Sequence, residues 1–123
     1  MDLRLEVIAL PVNDVDRAVG FYSGKLGFAI DHDSRPREGV RLVQLTPPGS
    51  ACSIHIGEGL AIEGVAPGSA KGMHLVVSDL DEVVVALRSA DVAVSEIEVF
   101  RGRVKQAYFA DPDGNEWTLQ QKE

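Results

Sequence analysis

Three histidines, one cysteine and a set of loop arginines are the side chains of this 123-residue chain whose types could carry chemistry. Imidazole changes charge near neutral pH and is a common metal ligand, so His55 and His74 are the candidates for acid–base work or for holding a divalent ion. Both sit in apolar, strand-like runs, Ser53-Ile54-His55-Ile56 and Met73-His74-Leu75-Val76, and the preferred reading is a polar lining or a hydrogen-bonded interior histidine. His32, flanked by Asp31 and Asp33 at a strand end, reads as an exposed residue without a role. Cys52 is the only cysteine, which excludes an intrachain disulfide and a thiolate-built zinc cluster and leaves a small buried filler. Arg35, Arg37, Arg101, Arg103 and Lys105 fall in corresponding loops of two halves and could meet a carboxylate or phosphate. The preferred reading is that they keep hairpin edges solvated.

Composition narrows the partners. A net charge of -7 opposes binding to nucleic acid or to an anionic membrane and mildly favours a cationic partner. The N-terminus, Met1-Asp2-Leu3-Arg4-Leu5-Glu6, lacks the apolar run of a signal peptide, and the apolar run from Val83 to Leu87 is too short to span a bilayer. A cytoplasmic protein is expected. With 45% hydrophobic and 25% charged residues, the chain has the mix of a globular domain.

The elements that must position these side chains come in duplicate. Leu10-Pro11-Val12-Asn13-Asp14-Val15-Asp16 reappears further on as Leu75-Val76-Val77-Ser78-Asp79-Leu80-Asp81. Thr46-Pro47-Pro48-Gly49-Ser50 matches Asp111-Pro112-Asp113-Gly114-Asn115 at the same offset, that of Asp14 to Asp79. Two matches in one register indicate a tandem repeat. Each half reads as βαβββ: strands over 6–12, 28–33, 40–45 and 51–56, then over 73–77, 92–100, 104–109 and 116–120. A helix capped by Asn13 or Asp14 runs to about Lys25, with Val15, Ala18, Val19, Phe21, Tyr22 and Leu26 apolar; a second, capped by Ser78 or Asp79, runs to about Ser89. Residues 34–39 have loop composition. Module one spans 4–57, a linker 58–71 and module two 72–121; the stretch from Gly57 to Lys71, with Gly57, Gly59, Gly64, Pro67 and Gly68, has the composition of a flexible connection. Halves of about fifty residues are marginal alone, so they must share a core. Trp117 shares parity with Leu119 on the helix-packed face, whereas the face of Tyr108 and Gln106 is left open.

Taken together, Val12-Asn13-Asp14-Val15-Asp16, Arg17-Ala18, Phe21-Tyr22, Lys25-Leu26-Gly27-Phe28 and Phe109-Ala110-Asp111-Pro112-Asp113-Gly114-Asn115 resemble the vicinal oxygen chelate superfamily of glyoxalases, bleomycin-resistance proteins and extradiol dioxygenases. The resemblance covers essentially the whole chain. It implies an α+β fold of tandem βαβββ modules whose curved mixed sheets form a cup, completed as a homodimer. Metal enzymes of that superfamily hold a divalent ion with His and Glu from the first and last strand of each module. Carried over at the repeat offset, those positions are Val7, Ser53, Gly72 and Thr118, none a usual ligand.

The resemblance therefore implies a binder of a small organic molecule in a cup lined by Val7, Ala9, Ser53, His55, His74 and Thr118, without a metal cofactor. The alternative is a metal-dependent lyase, isomerase or dioxygenase with His55 and His74 as ligands to a divalent metal ion. Whether the chain is an enzyme is left open.

Overall fold

The computed structural model describes residues 1–59 and 65–122. Module one contains β1 (Val7–Ala9), α1 (Val15–Val19), β2 (Ala29–Arg37), β3 (Val40–Thr46) and β4 (Ser53–Glu58). Module two repeats the order with β5 (Met73–Val76), α2 (Leu80–Ser89), β6 (Glu98–Phe100), β7 (Val104–Ala110) and β8 (Glu116–Gln121). Each module makes a four-stranded sheet, ordered β1-β4-β3-β2 and β5-β8-β7-β6, with one parallel pair at the start and antiparallel pairs after it. The α+β architecture of two βαβββ modules is thus the one the repeat predicts.

Asp14 and Asp79 cap the two helices, accepting from the amides of Arg17 at 3.0 Å and Glu82 at 3.1 Å. Beyond α1 the chain does not continue as an α-helix to Lys25 but widens into a π-helical stretch, Gly20–Lys25. The Leu26 amide reaches back five residues to Phe21 at 3.1 Å, and the wider turn leaves both Phe21 and Tyr22 buried. The expected loop at 34–39 shrinks to a turn at Glu38 and Gly39, because β2 is an edge strand and tolerates Pro36. The strand expected from Val92 forms only at Glu98. Residues before it serve α2 instead: the Val92 amide bonds the Leu87 carbonyl at 2.9 Å and the Asp91 amide that of Arg88 at 3.1 Å, a Schellman cap with Asp91 at φ 64°.

The modules share one core. Phe21 meets Phe109 at 6.2 Å between ring centroids and Tyr22 meets Trp117 at 5.9 Å, so the helical segment of module one packs on the sheet of module two. Trp117 and Leu119 lie in that core, as their parity predicts.

A polar clasp runs through the same contact. Asp111 is buried; one carboxylate oxygen accepts the amides of Asp113 and Asn115, both at 2.9 Å. The other accepts Tyr22 Oη–H at 2.7 Å and Asn115 Nδ2 at 2.8 Å. Asn115 also donates to the Pro11 carbonyl at 2.9 Å and accepts the Ala70 amide at 3.0 Å. Asp113 accepts from Arg17 Nη2 at 2.9 Å and from the Asn13 amide at 3.1 Å. Residues 65–71 of the linker are held by this clasp: Gly68 donates to Pro11 and the Ala70 carbonyl accepts from Glu116. Glu58 and Gly57 belong to β4, and linker residues 60–64, Gly64 among them, lie outside the described residues.

Burial first, then the hydrogen bond to Asp111, pushes the Tyr22 phenol far above its ordinary value. A raised phenol supports the fold fully below about pH 10, where both states hold the proton. Above that the unfolded chain loses a proton the folded chain keeps, so stability falls by about 1.4 kcal/mol per pH unit. Urea unfolding between pH 9 and 11.5 should show this slope in the native protein, flattened by about one proton in Tyr22→Phe. Equal slopes in the two proteins would contradict it.

Candidate functional site

The two parallel pairs set the floor of the site. Val7 lies opposite Ser53 and Ala9 opposite His55 in module one; His74 lies opposite Thr118 and Val76 opposite Gln120 in module two. The repeat offset holds for the capping aspartates and for the last strands, Ser53 to Thr118, but the first strands, Val7 to His74, stand two positions further apart. Hydrogen bonds confirm the register: Leu10 donates to the His55 carbonyl as Val77 donates to that of Gln120. Module one spends two extra residues between strand and helix cap, Leu10 to Asp14 against Val77 to Asp79. The position carried over to Gly72 is therefore corrected to His74, and Gly72 falls outside the ladder.

Alternation separates the faces. Ile54, Ile56, Trp117 and Leu119 point into the core, leaving Ser53, His55, Thr118 and Gln120 on the opposite, cup face. Tyr108 and Gln106 stand opposite Thr118 and Gln120, which settles the face left open by the sequence.

A cleft of about 500 Å³ lies between the β1–β4 edge and β5, lined by Ile8, Cys52, Ser53, Lys71, His74 and Trp117 among others. It brings Ser53 and His74 together. Val7, Ala9 and His55 lie outside its lining, and Thr118 lines a neighbouring hollow with Gly72 and Tyr108. Cys52 is half-buried at the cleft wall, not a core filler. The cleft ends where the strands start, so residues of both parities reach it, and alternation alone could not have singled out Cys52 and Lys71.

Side chains on the cup face form short hydrogen-bonded chains. Thr46 Oγ1 bonds the Asp31 carboxylate and lies 2.6 Å from Ser53 Oγ, while Gln44 Nε2 lies 3.5 Å from Asp31. In module two Tyr108 donates to Gln106 Oε1 at 2.9 Å, and Gln106 Nε2 donates to Gln120. Desolvation and the nearby Glu98 raise the Tyr108 phenol above its ordinary value. The loop cations do not converge on the cleft. Arg35 and Arg37 belong to the exposed β2, Arg101 and Arg103 to the turn before β7, and Lys105 pairs with Asp81 at 3.1 Å. Arg41 bridges Asp33 and Asp16 at 2.8 Å each on the helix side and holds Asp33 below its usual range.

The donor set does not fit a divalent ion. In the structural register the four family positions hold an alkyl group, two neutral hydroxyls and one imidazole, from Val7, Ser53, Thr118 and His74, and no carboxylate. His55 lies outside the cleft lining that holds His74. Among the described residues no three His, Cys, Asp or Glu side chains gather closely enough to share an ion.

Residues 4–119 match the model of the Glyoxalase/Bleomycin resistance protein/Dioxygenase superfamily. TnmS3, an antibiotic binding protein from Streptomyces sp. CB03234, is 31% identical, with 99% of this chain and 98% of that one covered and a TM-score of 0.87. A glyoxalase/bleomycin resistance protein from the same Streptomyces is 30% identical, with 96% and 100% covered and a TM-score of 0.82. A superfamily member from Sphaerobacter thermophilus DSM 20745 is 27% identical, with 98% of each chain covered and a TM-score of 0.87. Comparison with curated proteins gives no significant match. The doubled βαβββ unit, its Asp-Pro-Asp-Gly-Asn clasp and a match over nearly its whole length show that this chain belongs to the glyoxalase/bleomycin resistance protein/dioxygenase superfamily.

Proposed function

We propose that the protein binds a small organic molecule in its cup, without a metal centre, as a homodimer. The observation that carries this reading is the donor set: of Val7, Ser53, His74 and Thr118 only His74 offers a good ligand for a cation, and only Ser53 and His74 line the cleft. A volume of about 500 Å³ suits a drug-sized ligand. The likeness to TnmS3, an antibiotic binding protein, supports the same class of role. Only 6% of residues are aromatic, and Trp117, the aromatic side chain in the cleft lining, is itself packed in the core, so binding rests on shape and hydrogen bonds more than on stacking. Each module presents only a four-stranded half of a cup, with β1 and β5 at sheet edges, which supports completion by a second copy. Among the described residues no helix is long and apolar enough to cross a membrane.

Thermal-shift titration with a panel of cationic and neutral antibiotics, with and without chelator, tests the reading. A ligand at a hundred times its Kd should stabilise the protein by about 2.7 kcal/mol, unchanged by chelation. Stoichiometric divalent metal in the purified protein, lost in His74→Ala, would instead favour the metal-dependent lyase, isomerase or dioxygenase. A panel without any shift would count against the binder.

A further inference from the structure

Asp31 occupies an irregular place in its strand. Pairing between β2 and β3 passes from Ile30 opposite Leu45 to His32 opposite Gln44, which leaves Asp31 out of the ladder in a bulge. Bulges re-aim side chains. Here the carboxylate turns to Thr46 and Gln44, and Thr46 touches Ser53, which is buried at the cleft.

The direction of these bonds follows from proton counting. Between Thr46 and Ser53 either hydroxyl could donate on geometry alone. The Asp31 carboxylate can only accept, so Thr46 must spend its single proton on Asp31. Thr46 then has only lone pairs left for Ser53, and Ser53 must donate to Thr46. What remains of Ser53 for the cleft is an acceptor. Lys71, in the same lining, is held by Glu116 at 2.6 Å.

We infer that the relay from Asp31 through Thr46 makes Ser53 an obligate hydrogen-bond acceptor and selects ligands that place a protonated amine in the cleft. The inference rests on the binder reading and names the chemistry of its ligand. An ammonium donor makes a stronger bond to such an acceptor than a neutral donor does, and a carboxylate at the far end of the chain polarises the hydroxyls in the favourable sense. An anionic acceptor meets only lone pairs at that point. Asp31 and Thr46 act through Ser53 and are positioning residues.

Benzylammonium and benzoate distinguish the cases when titrated separately while the Ser53 and His74 amides are followed by NMR. In the native protein benzylammonium should bind at least about tenfold more tightly than benzoate. The net negative charge alone would also favour the cation, so the deciding variant is Thr46→Val, which keeps Asp31 and its charge but cuts the relay. Its preference should fall to within about threefold. Ser53→Ala, which leaves Asp31 and Thr46 bonded, should do the same if Thr46→Val does not fold. Equal or tighter benzoate binding, unmoved Ser53 and His74 amides with both probes, or a preference that survives the variants would overturn the relay. A neutral antibiotic that shifts the same amides in a protein lacking the ammonium preference would leave the binder reading standing and remove only the relay.

Discussion

Asp111→Ala is expected to cost about 3–5 kcal/mol, the range for removing one partner from a buried charged network. The substitution does more than delete a side chain. It strands the Tyr22 hydroxyl, one Asn115 amide hydrogen and the backbone amides of Asp113 and Asn115, all of which now donate to that one carboxylate. Asn115 is fully buried and also holds Pro11 and Ala70, so loosening it frees the contact between the modules. Against a total stability of about 5–15 kcal/mol for a domain, such a loss is large. At about 4 °C per kcal/mol for a chain of this size, Tm should drop by roughly 12–20 °C. Calorimetry together with urea unfolding checks it. A loss under about 1 kcal/mol would mean that the clasp is an ornament on an apolar core that holds by itself.

Gly68→Ala should also be strongly damaging, although Gly68 sits in a stretch whose composition looks like a tether. A Cβ there would lie 2.0 Å from the Asp113 carbonyl oxygen, and the residue has φ +82°, where a side chain is strained. Left-handed strain of about 1–2 kcal/mol and overpacking of about 1–3 kcal/mol together put the expected loss near 2–5 kcal/mol. Gly72→Ala provides the control, since its φ is +81° but nothing lies within 4 Å of the added carbon. It should lose only the strain. Urea midpoints that move equally in the two variants would show that close approach of the linker to the Asp-Pro-Asp-Gly-Asn turn contributes nothing.

The fold was legible because its signals are local. Asp14 and Asp79 announce helix starts wherever they stand, and two turn motifs at the same offset as those aspartates announce the duplication without any knowledge of contacts. Alternation alone puts Trp117 and Leu119 in the core, and they lie there. Local pattern gives way where tertiary packing overrides it. The π-helical stretch at Gly20–Lys25 answers to Phe21 and Tyr22 packing on the other module's sheet, and the delayed start of β6 answers to the cap of α2.

The site was legible only in part. The sequence marks His74 only as a histidine, whereas its pairing opposite Thr118 depends on a small difference in the length of the strand-to-helix connection. A gapless comparison cannot see such a difference, although Pro11, unable to donate to a ladder, marks where it occurs. Asp31 and Thr46 gave no sign at all. One was merely a neighbour of His32 and the other the first residue of a turn.

By itself the amino-acid sequence determined the doubled βαβββ plan, the helix caps, the inward and outward faces of most strands and the exclusion of a thiolate metal centre, since each depends on residue type and on spacing of a few positions along the chain. Only the tertiary structure decided that residues 65–71 of the linker are clasped, that Ser53 and His74 share one cleft, and that a bulged aspartate reaches Thr46 beside Ser53. Those facts depend on register and on contacts between residues that are distant along the chain, and a slip from Gly72 to His74 leaves every local pattern intact while it exchanges a glycine for a histidine opposite Thr118.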